Sequence, residues 1–204
     1  MRANLKFYTI LFAAVIGLVL VFLLSPQDKT LGSGTALVLL HGAWVWTGLF
    51  AFFAAALLGL SGIVSGNSRI HQLSKSSGVT ALIFWLTYLP MSLLVMKANW
   101  SGLFFAEPRW KIPFAFAIIA LLLQSGLAII NKPAVTSGGN LVYGISLFYL
   151  LSRAETILHP DSPVFSGSKN IQQIFILNLV LCLILAILAC SWLYRRFSKA
   201  RIPS

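Results

Sequence analysis

Acidic side chains are almost missing from this chain: four Asp and Glu in 204 residues, against fifteen Lys and Arg. Charged residues of both signs make up only 9%, while 58% are hydrophobic and the mean hydropathy is +0.89. A soluble domain of this size cannot cover its surface with so little charge, so a water-soluble fold is excluded and a polytopic membrane protein is expected. Strict apolar–polar alternation over short segments is also missing, which argues against a membrane β-barrel. Cysteine is scarce: Cys182 and Cys190 are the only two. They stand about two helical turns apart in one apolar run, whereas a disulfide needs Cα atoms within ~7 Å. They read as packing residues and leave the redox compartment open. No charged residue stands in the middle of an apolar run, where coupled transporters commonly place one, so a small-solute transporter is a weak reading.

What the chain does have is six apolar runs, at roughly 7–25, 36–64, 79–96, 112–130, 140–158 and 171–194. Each is about long enough to cross a ~30 Å hydrocarbon core as a helix, and the second is long enough to tilt. With no linker and no internal repeat, residues 1–204 read as one all-α membrane domain, a bundle of six transmembrane helices. Lys and Arg set the orientation. With both termini cytoplasmic, the inner segments hold Arg2, Lys6, Arg69, Lys75, Lys132, Arg195, Arg196, Lys199 and Arg201. The outer loops hold Lys29, Lys97, Arg109, Lys111, Arg153 and Lys169, together with all four acids, Asp28, Glu107, Glu155 and Asp161. The expected location is the cytoplasmic membrane, with the basic C-terminal tail against anionic lipid. The net charge of +11 is then a topology signal, and no soluble basic face exists to bind nucleic acid. The first run follows Arg2 and Lys6 like a signal peptide, but Ser25-Pro26-Gln27-Asp28 offers no small-x-small cleavage site, so an uncleaved helix is expected.

The inner connections, about 66–78 and 131–139, are rich in Gly, Ser, Asn and Pro and read as turns without a site. His71, in the first of them, reads as a solvated histidine with no role. Small residues crowd the second run (Gly48, Ala51, Ala54, Ala55, Ala56, Gly59 and Gly62), which predicts a central helix that its neighbours approach closely. Pro90 predicts a kink or freed carbonyls in the third helix. Gln124 and Asn178 are amides at membrane depth, expected to bond across helices.

The topology brings three unusual stretches to the outer face: that around His41, the loop at about 97–111, and the loop at about 153–170. His41 and Trp44 share a helix face, while Trp46 points elsewhere as an anchor. Pro160 biases His159 away from helical geometry, so His159 ends the fifth helix, with Glu155 one turn earlier. Either histidine alone has a simple explanation, His41 as a donor to a carbonyl or headgroup and His159 as a cation near the last helix carbonyls. Two histidines at one depth also suit the axial pair of a haem iron. A bare zinc site would need a third or fourth ligand, for which Glu107 or Glu155 is available. Trp100, Phe104, Phe105 and Trp110 are either interfacial anchors or the floor under a flat macrocycle. Arg109 has the planar fork for a propionate, or else pairs with Glu107 or a lipid phosphate.

These residues together resemble the haem-handling membrane proteins of cytochrome c biogenesis, of the CcmC/CcsA type, and most closely the six-helix CcmC branch. Leu40-His41 followed by Ala43 and Trp44 is similar to that family's first outer histidine motif. Leu158-His159-Pro160 resembles its second. Trp100-Ser101, then Glu107 and Arg109, resembles its tryptophan-rich loop without a gap in spacing. The chain departs from the pattern at Glu107, where the family has Asp, at Ser101, where it has Gly, and at Leu103, Phe104 and Ala106, which replace central tryptophans. The likeness covers nearly the whole chain in topology and about fifteen residues in motif.

The resemblance implies a protein that is not an enzyme. It would hold b-type haem, non-covalently and transiently, at the extracytoplasmic face through His41 and His159, with Trp44, Trp100, Phe104, Phe105, Glu107, Arg109 and Trp110 around it. It would present that haem to a haem chaperone or apocytochrome c. The rival expectation is a structural or haem-anchoring subunit of a respiratory or other membrane complex, whose partners are other membrane subunits.

Overall fold

The structure, a computed structural model, describes residues 2–29, 31–100, 102–155, 157 and 168–199. The described residues form six helices and no strand: α1 (Arg2–Leu23), α2 (Thr35–Ser65), α3 (Ser68–Trp100), α4 (Pro108–Ile130), α5 (Pro133–Ser152) and α6 (Lys169–Lys199). All six are long and apolar enough to cross a membrane. Their 31 residues make α2 and α6 about 46 Å long, well beyond a ~30 Å core, so both tilt or project from it.

Helix ends explain where the expected boundaries shift. The turn expected over 66–78 shrinks to Gly66 and Asn67. Gly66 closes α2 in the left-handed region (φ 65°), its N–H donating to Gly62 O. Asn67 then caps α3: its Oδ1 accepts the Arg69 N–H at 2.9 Å, and its own carbonyl accepts those of Ile70 and His71. The serines behind it are therefore helical. Ser76 and Thr80 return their hydroxyls to the carbonyls of Gln72 and Ser76, which lets a polar stretch lie buried in a helix. At the next junction Asn131 closes α4 (φ 48°) and Pro133 opens α5 at once. So α5 runs earlier than the sequence suggests, from 133 to 152 rather than 140 to 158, and Glu155 follows the helix instead of riding on it. α3 continues through Pro90.

Successive helices run up and down. One end of the bundle, the terminal end, gathers the start of α1, the α2–α3 and α4–α5 junctions, and the end of α6. There the Arg195 guanidinium lies over Phe7, and Gln72 Nε2 donates to Tyr194 O. The opposite, distal end gathers the α3–α4 loop, the start of α2, the end of α5 and the start of α6.

The expectation of a central α2 holds: it packs against α1, α3, α5 and α6. One core lies between α2, α3, α4 and α5, around Phe52, Trp85, Tyr88, Phe116, Tyr143 and Leu147. Its polar tips bond to backbone, Trp85 Nε1 to Pro113 O at 3.1 Å and Tyr143 Oη to Phe116 O at 2.9 Å. A second core joins α1, α2, α3 and α6 through Leu18, Leu39, Phe84, Phe175 and Cys182. Both cysteines remain free thiols.

Of the two amides expected to bond across helices, Gln124 does so, donating from Nε2 to Asn140 Oδ1 at 2.7 Å. Asn178 instead donates to Ile174 O on its own helix.

The α2–α5 approach is closest at Gly59, where a Cβ would stand 2.5 Å from Ser137 O, a backbone atom that cannot yield cheaply. Gly126, by contrast, has open space beside it. Gly59→Val is expected to cost about 1–3 kcal/mol through overpacking and to lower the unfolding midpoint in detergent, while Gly126→Val leaves it nearly unchanged. Equal midpoints for the two variants would refute the close-approach account.

Asn140→Leu is expected to cost a further, independent ~1–3 kcal/mol by stranding the buried groups it serves. Asn178→Leu, which removes only a bond within one helix, should be milder in the same melt.

Candidate distal site

His41 sits in the second turn of α2, half-buried, with its ring 5.8 Å from that of Tyr88 on α3. The Phe175 ring of α6 lies over neighbouring Gly42. Three helices thus meet around the histidine. Trp44, one turn on, is tied into the bundle: its Nε1 donates to Thr87 Oγ1 at 2.9 Å and its ring packs at 4.6 Å on Phe84. Trp44 therefore braces the wall behind His41. Trp46 is exposed, as an anchor would be.

The α3–α4 loop has one buried acid at its pivot. Glu107 is 1% exposed and precedes the first turn of α4, where Pro108 is well placed because its missing N–H would have no helical acceptor. The Glu107 backbone carbonyl accepts the Trp110 and Lys111 N–H groups at 3.0 and 2.9 Å. Its side chain does something else: both carboxylate oxygens accept the Ile157 N–H, at 3.3 and 3.2 Å. A buried carboxylate needs such donors. The bond ties the aromatic loop to the segment beyond α5, two residues ahead of His159 in sequence. His159 itself, with Leu158 and Pro160, lies outside the described residues.

The other expected site residues separate into two groups. Trp100 ends α3 half-buried, and Phe104 is half-buried in the loop. Phe105 and Trp110 instead join Phe114 in a ladder along one flank of α4. Phe105 meets Trp110 edge-on at 4.9 Å, and Trp110 stacks on Phe114 at 4.9 Å with an 11° interplanar angle. Phe105 and Phe114 are exposed, so this flank is suited to an interfacial belt. Arg109 and Glu155 are exposed. Among the described residues, no three His, Cys, Asp or Glu side chains gather as a metal site.

Two buried polar atoms bear on the site, one of them on Tyr88, a residue that the sequence reading did not single out. Tyr88 Oη, on the residue beside His41, and Trp110 Nε1 are buried without a hydrogen-bond partner among the described residues. An unpaired buried donor costs roughly 1–3 kcal/mol, so each is a ready contact for a ligand acceptor. Tyr88 was legible in principle: Trp85 and Tyr88 stand three apart and share one face of α3.

The fold is that of a multi-pass membrane bundle with one organised end. No family model, curated protein or solved structure matches the chain.

Glu107→Ala should accelerate hydrogen exchange at the Ile157 amide about tenfold or more, the loss expected for a hydrogen bond to a charged group. Exchange at the Trp110 and Lys111 amides should stay slow, because they bond to the Glu107 backbone. An unchanged Ile157 rate would show that the carboxylate does not hold the segment.

Proposed function

We propose that this protein handles haem at the extracytoplasmic face of the cytoplasmic membrane, holding it between His41 and His159 and passing it to a partner. The observation that carries the reading is the Glu107–Ile157 bond, which joins the aromatic loop to the chain just ahead of His159 at the His41 end of the bundle. Further support comes from the Tyr88 and Trp110 donors, buried without described acceptors. They suit a ligand with an apolar body and carboxylate arms. Haem, if bound, would supply an iron for which His41 and His159 would be the imidazole ligands.

In this reading each residue of the chain has a separate task. His41, fixed between Tyr88 and the α6 helix, is one ligand and His159 the other. Trp44 keeps the wall behind His41 rigid through Thr87. Trp100 and Phe104 line the apolar side, and Arg109 on the first turn of α4 is the cation for a propionate. Phe105 and Trp110 anchor the loop at the interface, Trp110 also offering its indole N–H. Glu107 positions the His159 segment. The protein is a holder and not a catalyst. Its partners are the bilayer and a haem chaperone or apocytochrome c.

The test is the absorption spectrum of the purified protein, before and after haem addition, beside His41→Ala and His159→Ala. A Soret band that both substitutions weaken is expected. A wild-type protein that stays colourless with added haem would overturn the reading. Haem that resists extraction and undergoes reversible reduction would favour a permanent haem-anchoring subunit of a membrane complex instead.

A further inference from the structure

The terminal end of the bundle has an inner and an outer side. On the inner side, side chains link the helices. His71, expected from sequence to be a solvated loop histidine, is instead helical and only 7% exposed. The short Gly66-Asn67 turn folds the start of α3 back against Gly62, and His71 Nδ1 shares a hydrogen bond with Ser137 Oγ at 2.6 Å. Gln72 Nε2 donates to Tyr194 O at 2.9 Å, which fastens α3 to the end of α6. The outer side is the seam between α1 and α6, which run antiparallel. Leu181 packs against Gly17 toward the distal part of that seam, and Arg195 meets Phe7 at its terminal part. α1 is the least buried of the six helices and packs mainly on α6.

Two arginines stand at the terminal part of the seam, both exposed. Neither is a loose surface charge. The Arg195 guanidinium lies 5.7 Å from the centre of the Phe7 ring, and its Nε donates to Ser191 O at 3.3 Å. The Arg196 guanidinium lies 4.9 Å over the Trp192 ring, one turn back on α6. A ring under the flat face of a guanidinium leaves N–H groups on its edge to reach an oxyanion. Side chains held in this way lose less freedom when a ligand binds. Trp192 is itself exposed, and an exposed tryptophan near the end of a spanning helix marks the level of the headgroups. Lys199, also exposed, continues the same face of α6 one turn beyond Arg195 and Arg196. None of the described acids lies at this end.

Toward the bilayer centre from these arginines the flanks of the seam are apolar, with Phe12 and Val15 of α1 and Ile187 of α6 exposed. Two oriented guanidiniums at headgroup level above an apolar wall match a phosphodiester that carries acyl chains. A zwitterionic headgroup would bring its own cation among Arg195, Arg196 and Lys199, whereas an anionic one brings none. We propose that the terminal part of the α1–α6 seam is a seat for an anionic phospholipid, with Arg195 and Arg196 as the ligands of its phosphodiester and the exposed flanks of both helices against its chains. The bound lipid ties α1 to the bundle. General attraction of a basic surface to an anionic leaflet needs only charge. This seat needs the guanidinium fork and the ring beneath it, so lysine is a poor replacement for Arg195. The seat is independent of the haem reading, because it lies at the opposite end of the bundle.

The test is a titration of the purified full chain in neutral detergent, following the unfolding midpoint. Dioleoyl phosphatidylglycerol is the probe, with dioleoyl phosphatidylcholine and inorganic phosphate in separate arms. Arg195→Lys keeps the charge and loses the fork. Phe7→Leu keeps an apolar side chain and removes the ring. Lys132→Gln removes an exposed cation of the same end that lies outside the seam. Each apparent Kd is read from the saturation of that variant's own midpoint, so a shift in the lipid-free midpoint does not enter it. The expected result is saturable stabilisation of the wild type by phosphatidylglycerol, about tenfold weaker with phosphatidylcholine and absent with inorganic phosphate at the same concentration. The Kd for phosphatidylglycerol should rise about tenfold in Arg195→Lys and several-fold in Phe7→Leu, and stay within about twofold in Lys132→Gln. No saturable effect on the wild type, equal stabilisation by phosphatidylcholine, or an equal effect of inorganic phosphate would overturn the proposal. So would an unchanged Kd in Arg195→Lys, or equal weakening in Lys132→Gln, which would show a basic surface without a seat.

Discussion

One amide, that of Asn140, sets how four of the six helices meet. From α5 its Nδ2 donates to both the carbonyl and the hydroxyl of Ser74 on α3, each at 3.0 Å, while its Oδ1 accepts from Gln124 on α4. Ser74 passes the connection on, its hydroxyl donating to Ala55 O on α2 at 2.8 Å. In an apolar bundle, packing alone tolerates sliding of one helix along another, because many registers bury similar area. A buried amide does not tolerate it, since each unmatched polar group has no water to turn to. The knot therefore selects one register, and the rest of the structure inherits it. With α2 and α3 locked at Ser74, Trp44 arrives opposite Thr87 and His41 opposite Tyr88, more than two turns away. With α3 and α5 locked, His71 meets Ser137 on the terminal side.

The knot also shows why composition could locate helices but not their ends. The cores of all six were legible, since about twenty apolar residues announce a crossing whatever their neighbours do. The start of α3 was not, because Ser74, Ser76, Ser77 and His71 lower the hydropathy of a stretch that is nevertheless helical and buried. What counts there is where each hydroxyl finds its acceptor, and Ser76 and Thr80 find theirs in the preceding turn. The Gly66-Asn67-Ser68 sequence held the clue: a left-handed glycine followed directly by an N-capping asparagine leaves no room for a loop. Asn140 escaped notice for a related reason. It stands just beyond a Gly-rich stretch expected to be a turn, whereas Pro133 had already opened the helix.

At the distal end, residue types were legible and their partners were not. Glu107 stands out in a sequence with four acids, and its burial is consistent with that rarity: an acid is retained where a backbone donor needs it. Arg109, two residues on, was a candidate ion-pair partner in sequence, but a bond to Ile157, fifty residues on, could not be read from spacing. The aromatic residues behave similarly. Read as one platform, they divide into Trp44, committed to Thr87 and Phe84, and a Phe105–Trp110–Phe114 ladder on the flank of α4. Sequence spacing decides which residues share a helix face, but contact across helices depends on register, which the distant amide knot sets.

The two ends of the bundle divide the polar chemistry between them. The terminal end carries cations, and none of the described acids lies there. The distal end carries the described acids, of which buried Glu107 accepts the Ile157 N–H, and it leaves exposed aromatic flanks. A basic end facing anionic lipid is the orientation that the positive-inside rule favours. On the proposed reading, ligand handling would fall to the distal end. Between the two ends lies the Asn140 knot, with both ends of the Asn140 amide paired and no charged residue in it. That suits a bracket holding two ends in register better than a path through the membrane, which would need polar groups that change partners.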